Sequence, residues 1–169
     1  MNKNLILLVL LFVGLFLFGC NKDNSDSKKA LLTSSSWKLV NYEKREVIGG
    51  VPSSWVSTMG MLDTCEKDNI TFFESNGSFK ESNGAIKCWV TSSDNYSTGS
   101  WLLLSDDTQV KVTKSYNGNS GNAYTYLYNI STLDKNTLQL SIIGNALSYP
   151  VNGAPANNDH EELRWTYTH

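Results

Sequence analysis

Several residue patterns that mark catalytic and nucleic-acid-binding proteins are missing from this chain. It has two histidines, His160 and His169, and three cysteines with no Cys-x-x-Cys pair, so ligands for a zinc or dithiol redox centre are scarce. The HExxH and GxSxG motifs do not occur. Lys and Arg are scattered along the chain, whereas a nucleic-acid-binding protein concentrates them on one face. We therefore expect no enzyme activity, no catalytic residues, no metal, no cofactor and no nucleic-acid partner.

Two short clusters contain reactive residue types, but their arrangement favours surface loops. In Asp159-His160-Glu161-Glu162 the residues are consecutive, and consecutive side chains rarely converge on one centre. The segment from Gly118 to Gly121 lacks the lysine, threonine and helix that follow a phosphate-binding loop. We predict a solvated loop for each.

The N-terminus has the pattern of a bacterial export signal. Lys3 precedes an apolar run from Leu5 to Gly19 that ends at Cys20. The run is shorter than the roughly 20 residues of a membrane-spanning helix, and its flanks are typical of a cleaved signal peptide. Leu17-Phe18-Gly19-Cys20 resembles the lipobox, where cleavage precedes a cysteine that carries a diacylglyceryl group. We predict a signal peptide over residues 1–19 and lipidation of Cys20, the alternative being an uncleaved signal anchor with a free thiol.

Lipid chains on Cys20 would hold the mature protein at a membrane. We expect the outer membrane, with the domain facing either the periplasm or the cell surface. Residues 20–30 are polar and lack apolar periodicity, so we predict a flexible tether. Residues 31–169 suffice for one domain with its own core. Cleavage of the signal peptide also removes Lys3, one of the 14 Lys and Arg residues. The 16 Asp and Glu residues all remain, so the mature chain has a net charge of −3.

Cys65 and Cys88 remain once Cys20 carries lipid. Outside the cytoplasm we expect them to form a disulfide, which would stabilise the fold by roughly 3 kcal/mol in the chain-entropy model. The alternative is a redox or zinc site, and the missing CxxC spacing and the distant histidines weaken it.

From Ser36 onward, β-branched and aromatic residues alternate with polar ones, which is typical of half-buried strands. A short helical turn at Ala30-Leu31-Leu32 is expected before them. The strongest turn signal is Asn76-Gly77, for which we predict a type I′ hairpin turn with positive φ at both central residues. Nine short runs have this pattern, which we interpret as about eight strands, at residues 36–42, 69–73, 78–81, 86–90, 101–104, 110–113, 124–130, 138–143 and 163–167.

These strands predict an all-β fold, most economically an eight-stranded antiparallel up-and-down barrel, because closure removes exposed edges. The alternative is a two-sheet β-sandwich. Two long segments, Val47 to Asp68 and Gly144 to Asp159, interrupt the meander and are expected to lie over an open end. In the first, Trp55 and the Met59-Gly60-Met61 stretch would either form a mouth or anchor the segment to the barrel.

The chain resembles the lipocalin-like lipoproteins of Bacteroidota over roughly residues 31–169. This resemblance implies an eight-stranded calycin-type barrel that can hold an apolar small molecule, without specifying the ligand. It also suggests that Arg164 stacks over Trp37 and closes one barrel end, the alternative being an exposed strand arginine. The supporting motifs are the lipobox, Ser34-Ser35-Ser36-Trp37-Lys38-Leu39, Asp68-Asn69-Ile70-Thr71-Phe72 after Cys65, Asn76-Gly77-Ser78-Phe79, Gly99-Ser100-Trp101 after Cys88, and Thr137-Leu138-Gln139-Leu140.

An eight-stranded barrel is either filled by side chains or able to hold one small ligand. We expect a membrane-anchored, non-catalytic binder of a small hydrophobic or amphipathic molecule. The alternative is a cell-surface accessory module with a filled core that binds protein or glycan through its loops. Tyr124, Tyr126 and Tyr128 share one strand face, and buried hydroxyls need polar partners such as a pocket provides. The candidate ligand-lining residues are Trp37, Phe72, Trp101, Tyr124, Tyr126, Tyr128 and Trp165.

Overall fold

The structure, a computed structural model, describes residues 27–88, 94–116, 122–144 and 160–169. The predicted signal peptide and lipid-attachment residue Cys20 lie outside the described residues, as do most of the tether and most of the segment from Gly144 to Asp159. Within the described ranges, no helix has the length and apolar character to cross a membrane.

The described residues form ten strands, two short α-helices and one 3-10 helix. The helices are α1 (Lys28–Thr33), α2 (Thr64–Lys67) and the 3-10 helix Met59–Met61. The strands are β1 (Trp37–Ile48), β2 (Val51–Pro52), β3 (Val56–Ser57), β4 (Ile70–Phe73), β5 (Ser78–Ser82), β6 (Asn95–Leu104), β7 (Gln109–Tyr116), β8 (Ala123–Leu133), β9 (Thr137–Ile143) and β10 (His160–Thr168).

Eight of these strands close into an antiparallel barrel. Neighbours follow chain order from β4 to β10, and β1 lies between β4 and β10 to complete the ring. The β1–β10 seam is long, from Lys38 opposite Thr168 to Val47 opposite His160. The short strands β2 and β3 pair only with β1. The predicted all-β up-and-down barrel is therefore confirmed, and a two-sheet sandwich is excluded by the continuous ring.

One end of the barrel, which we call the helix end, is closed by an apolar cluster. Helix α1 inserts Leu32, which is fully buried against Trp37. The indole Nε1 of Trp37 donates to the Leu32 carbonyl at 2.9 Å, so the helix is fixed to the first strand by a buried hydrogen bond. Phe73 meets both Phe79 and Trp101 edge-on, with ring centroids 5.5 and 5.4 Å apart.

The opposite end, which we call the loop end, receives the longer connections, including that from β1 to β4. There Cys65 in α2 is joined to Cys88 by a disulfide, with Cα atoms 5.2 Å apart, within the usual range of about 4.4–6.8 Å. The predicted disulfide is confirmed. It ties the β1–β4 connection to the β5–β6 connection at the mouth of the barrel.

Three local predictions were wrong. The described residues 83–88 contain no strand, where a strand over Ile86 to Val90 was expected. The hairpin at Asn76-Gly77 exists, but only Gly77 has positive φ, 88°, because the turn is a three-residue loop in which the Gly77 amide donates to Glu74. The predicted loop at His160-Glu161-Glu162 is the start of β10, paired to β1.

The position of Arg164 also differs from the prediction, in which it covers Trp37. Leu163 is buried and Trp165 stacks on Tyr42 inside the barrel, so strand alternation turns Arg164 outward. Its guanidinium lies 4.2 Å from the ring centroid of Trp55 and its Nε donates to Glu43 at 2.8 Å. Trp37 instead meets the ring of His169, with centroids 4.0 Å apart.

Candidate functional site

The barrel interior changes from apolar to polar between its two ends. Val110 and Val112 of β7 are buried in the core, and alternation along the strand turns Lys114 inward as well. In β5, Phe79 is buried and Glu81 follows on the same face. Both strands therefore carry an apolar residue near the helix end and a charged residue nearer the loop end.

Glu81 and Lys114 form an ion pair inside the barrel. The Lys114 ammonium lies 2.8 and 2.9 Å from the two carboxylate oxygens of Glu81, and Ser97 donates to the same carboxylate. Lys114 is only 8% exposed. A buried charge is costly unless it is paired and hydrogen-bonded, and this arrangement meets both conditions.

Aromatic rings surround the ammonium of Lys114. Its Nζ lies between 5.2 and 5.6 Å from the ring centroids of Phe79, Tyr116 and Tyr126. Each distance is within the roughly 6 Å at which a cation is attracted to a π face. The ion pair is thus held by one carboxylate and three rings.

Five tyrosines, which we call the tyrosine cluster, lie around this ion pair, from Tyr124 opposite Lys114 down to Tyr128 opposite Val110. Three of the hydroxyls have polar partners: Tyr116 and Tyr126 share a hydrogen bond of 3.2 Å, and Tyr96 donates to Glu66 of α2 at 3.4 Å. Ring contacts connect the cluster to Trp165, which is 5.5 Å from Tyr128. The members are Tyr96, Tyr116, Tyr124, Tyr126 and Tyr128.

The tyrosine cluster is accessible from the loop end. Tyr124 faces the same side as Tyr126 and is paired with the buried Lys114, yet it is 40% exposed. An inward-facing side chain can reach solvent to this extent only where the barrel opens. Tyr96, Tyr116 and Tyr126 are half-buried, so their hydroxyls lie at the boundary between the core and the mouth.

Burial raises the pKa values of the interior tyrosines. It raises the pKa of Tyr96 and of Tyr116 to about 12, and for both the negative charges of Glu66 and Glu81 act in the same direction. Burial also raises the pKa of Tyr126, Tyr128 and Tyr167 further. These hydroxyls therefore remain protonated to a higher pH than an exposed tyrosine does.

The candidate residues predicted from sequence fall into three places. Trp37 and Trp101 belong to the sealed helix end, where Trp101 Nε1 donates to the Glu74 carbonyl at 2.9 Å. Phe72 faces outward, with the Lys80 ammonium 4.4 Å from its ring, because Thr71 and Phe73 take the inward positions. The structure brings together the remaining four, which are Tyr124, Tyr126, Tyr128 and Trp165.

Sequence reasoning missed Glu81 and Lys114. The signal was present, because Glu81 follows Phe79 by two residues and Lys114 follows Val112 by two, and residues two apart share a strand face. It also missed Tyr96 and Tyr116. Tyr96 lies next to an irregularity in the β5–β6 pairing, which alternation alone does not predict.

The site has the chemistry of non-covalent recognition. Ring faces can pack against an apolar or aromatic body, and hydroxyls, an ammonium and a carboxylate can orient a polar group. Among the described residues, no cluster of His, Cys, Asp or Glu is arranged to hold a metal ion. No protein-family model matches the chain, and no curated protein sequence matches it.

The buried tyrosines predict a loss of stability at alkaline pH. A phenol whose pKa is raised by folding stabilises the native state fully below its unfolded pKa of 10.0, and that contribution is lost as the pH rises toward about 12. Each such group adds a slope of about −1.4 kcal/mol per pH unit to the free energy of unfolding in this window. Near-ultraviolet titration of tyrosinate should show an early phase from exposed tyrosines and a later phase coincident with loss of circular dichroism.

Reversible ionisation of all eight tyrosines in one phase near pH 10, with the fold retained, would contradict the burial of this cluster. Tyr116→Phe should reduce the amplitude of the late phase while leaving the early phase unchanged.

Proposed function

We propose that this protein is a lipid-anchored, lipocalin-like lipoprotein of the bacterial outer membrane that binds a small amphipathic molecule at the loop end of its barrel. The observation that carries the binding proposal is the tyrosine cluster around the Glu81–Lys114 ion pair, which reaches solvent through Tyr124 at the loop end. A barrel with no ligand to accommodate would gain more stability from apolar side chains at these inward positions. The protein is proposed to act without catalysis.

The arrangement of side chains indicates the ligand's chemistry. The rings of Tyr116, Tyr124 and Tyr126 offer flat apolar faces near the mouth. Hydroxyls and the ion pair lie beside these rings, and a second inward ion pair, Lys44 with Glu161, lies at the rim. Because each of these charges has an opposite partner, a ligand with an apolar or aromatic body and uncharged hydrogen-bonding groups fits better than a strongly charged one.

Membrane attachment is proposed from the lipobox-like sequence before Cys20. Helix α1 starts at Lys28 at the helix end of the barrel, where Lys28 Nζ donates to the Asp107 carbonyl. A tether from Cys20 would therefore reach the barrel at its sealed end. The loop end would then be directed away from the membrane.

The lipid anchor is tested by metabolic labelling of the full chain with radioactive palmitate in a bacterium with an outer membrane. Wild-type protein should incorporate label and enter the detergent phase, and Cys20→Ser should do neither, because the acylated thiol is missing. Cys65→Ser combined with Cys88→Ser is the matched control and should retain the label. An unlabelled wild type, or label that persists in Cys20→Ser, would contradict the proposal.

Ligand binding is tested by native mass spectrometry of the full-length protein, taken from its natural host directly into lipid nanodiscs. A small molecule should co-purify at one copy per chain. Tyr116→Phe combined with Tyr126→Phe should lower the affinity by roughly thirtyfold and so reduce the occupancy, since each lost hydrogen bond contributes about 1 kcal/mol. Thr113→Val removes a hydroxyl from the outward face of β7, where it is bonded to Thr125 at 3.0 Å, and should leave occupancy unchanged.

Repeated absence of a bound molecule would refute the proposal. So would occupancy that is the same in the double variant and the wild type. Circular dichroism of each variant verifies that the barrel is intact, so that a lost ligand is not caused by unfolding.

A further inference from the structure

A second polar site lies on the outside of the barrel, at the β1–β10 seam. Two cross-strand pairs face outward there: Glu43 opposite Arg164 and Arg45 opposite Glu162. The Nε atom of each arginine donates to the carboxylate opposite, Arg164 to Glu43 at 2.8 Å and Arg45 to Glu162 at 2.5 Å. All four side chains are more than two-thirds buried, which is unusual for charges on an outer wall.

Trp55 explains how these charges are covered. It lies between β2 and β3, which both pair with β1, so the connection folds back over the seam. The guanidinium carbons of Arg45 and Arg164 lie 4.5 and 4.2 Å from the ring centroid of Trp55. Two cation–π contacts on one indole hold the ring in a defined position on the barrel wall.

Beside Trp55 the wall forms a groove of about 290 Å³. This is close to the lower limit of roughly 300 Å³ for small-molecule sites, and it fits a ligand of one or two rings. The floor is rich in short polar side chains from β8 and β9, and Ile143 at its edge is 47% exposed. The polar floor residues are Asn129, Ser131, Gln139 and Ser141.

The polar groups of the groove have hydrogen-bonding capacity for a ligand. Gln139 uses its Nε2 to donate to Thr166 at 3.2 Å, and the hydroxyls of Ser131 and Ser141 are bonded to each other at 3.2 Å. In the part of the chain that the structure describes, the guanidinium groups use Nε for their carboxylates, so their other N–H donors are available. The groove therefore offers donors and acceptors side by side with an aromatic ring.

The charge balance decides between ligand classes. Arg45 and Arg164 are each neutralised by a carboxylate in direct contact, so a phosphate, sulfate or carboxylate ligand would meet no unpaired positive charge. It would instead face two glutamates. A neutral molecule with many hydroxyls satisfies the amide, hydroxyl and guanidinium groups, and its C–H faces can pack on the apolar face of an indole.

We propose that the groove beside Trp55 binds a neutral saccharide unit, packed against the indole and hydrogen-bonded to Gln139, Ser141 and the two arginines. This site is on the outer wall, and the proposed ligand site at the loop end is inside the barrel. The two sites are therefore independent, and the protein can present a glycan on its wall while it holds a small molecule inside.

The test uses an array of neutral, sialylated and sulfated glycans, probed with the full-length protein in nanodiscs against empty nanodiscs. We expect binding to neutral glycans. For a glycan that binds, calorimetry should show that Trp55→Ala lowers affinity by roughly tenfold, because the stacking surface is lost. Trp55→Phe keeps an aromatic face and should lose less. Gln139→Leu should weaken binding. Thr98→Val makes a similar polar-to-apolar change on the outer face of β6, outside the groove, and should leave the affinity unchanged.

Three results would overturn the proposal: no neutral glycan bound above the empty nanodiscs, binding restricted to sialylated or sulfated glycans, or equal affinity for the wild type and Trp55→Ala. Thermal melts of Trp55→Phe and Gln139→Leu separate loss of binding from loss of fold. Occupancy of the inner ligand should be unchanged in Trp55→Ala, so failure of this proposal is distinguishable from failure of the proposed function.

Discussion

The ion pair between Glu81 and Lys114 inside the barrel is the feature on which the rest of this structure depends. Moving two charges out of water costs several kcal/mol per ion in proteins, and their attraction offsets this only with good geometry and further hydrogen bonds. Here the carboxylate accepts from Lys114 and from Ser97, and three rings surround the ammonium. The pair divides the interior into an apolar helix end and a polar loop end.

This division fits the way in which the two ends are built. At the helix end, Leu32 and Trp37 are fully buried and joined by a hydrogen bond, so helix α1 seals the core and leaves the buried indole N–H paired. At the loop end, the disulfide between Cys65 and Cys88 joins two connections. The sealed end supplies hydrophobic stabilisation, and the disulfide limits the movement of the loops around the tyrosine cluster.

Much of this fold could be predicted from alternation along the chain. The inward set Val110, Val112, Tyr126, Leu138 and Leu140 follows from period-2 patterning with apolar residues on one face. The same rule failed for Phe72, because Phe72 and Phe73 are adjacent and either could point inward. Phe73 is the residue that points inward, because it packs against Phe79 and Trp101. A contact between strands that are distant in the sequence cannot be predicted from the local residue pattern.

The outer site could not be predicted because it depends on an irregularity and on a fold-back. A register shift between Leu39 and Asn41 reverses the alternation in β1 and turns Glu43 and Arg45 outward. Trp55 follows Arg45 by ten residues and precedes Arg164 by 109 residues in the sequence. Only the pairing of β2 and β3 with β1 brings it over the seam. The pairing of the cysteines, in contrast, followed from their number and the expected compartment.

We propose that the ion pair is kept for the ligand and reduces the stability that the barrel could reach. It is tested most directly by replacing both charges at once, in Glu81→Leu combined with Lys114→Met, and measuring thermal stability and ligand occupancy on the same preparation. We expect a folded barrel that melts at the same or a higher temperature than the wild type and has lost the co-purifying molecule. A double variant that unfolds, or one that keeps the molecule at wild-type occupancy, would contradict it.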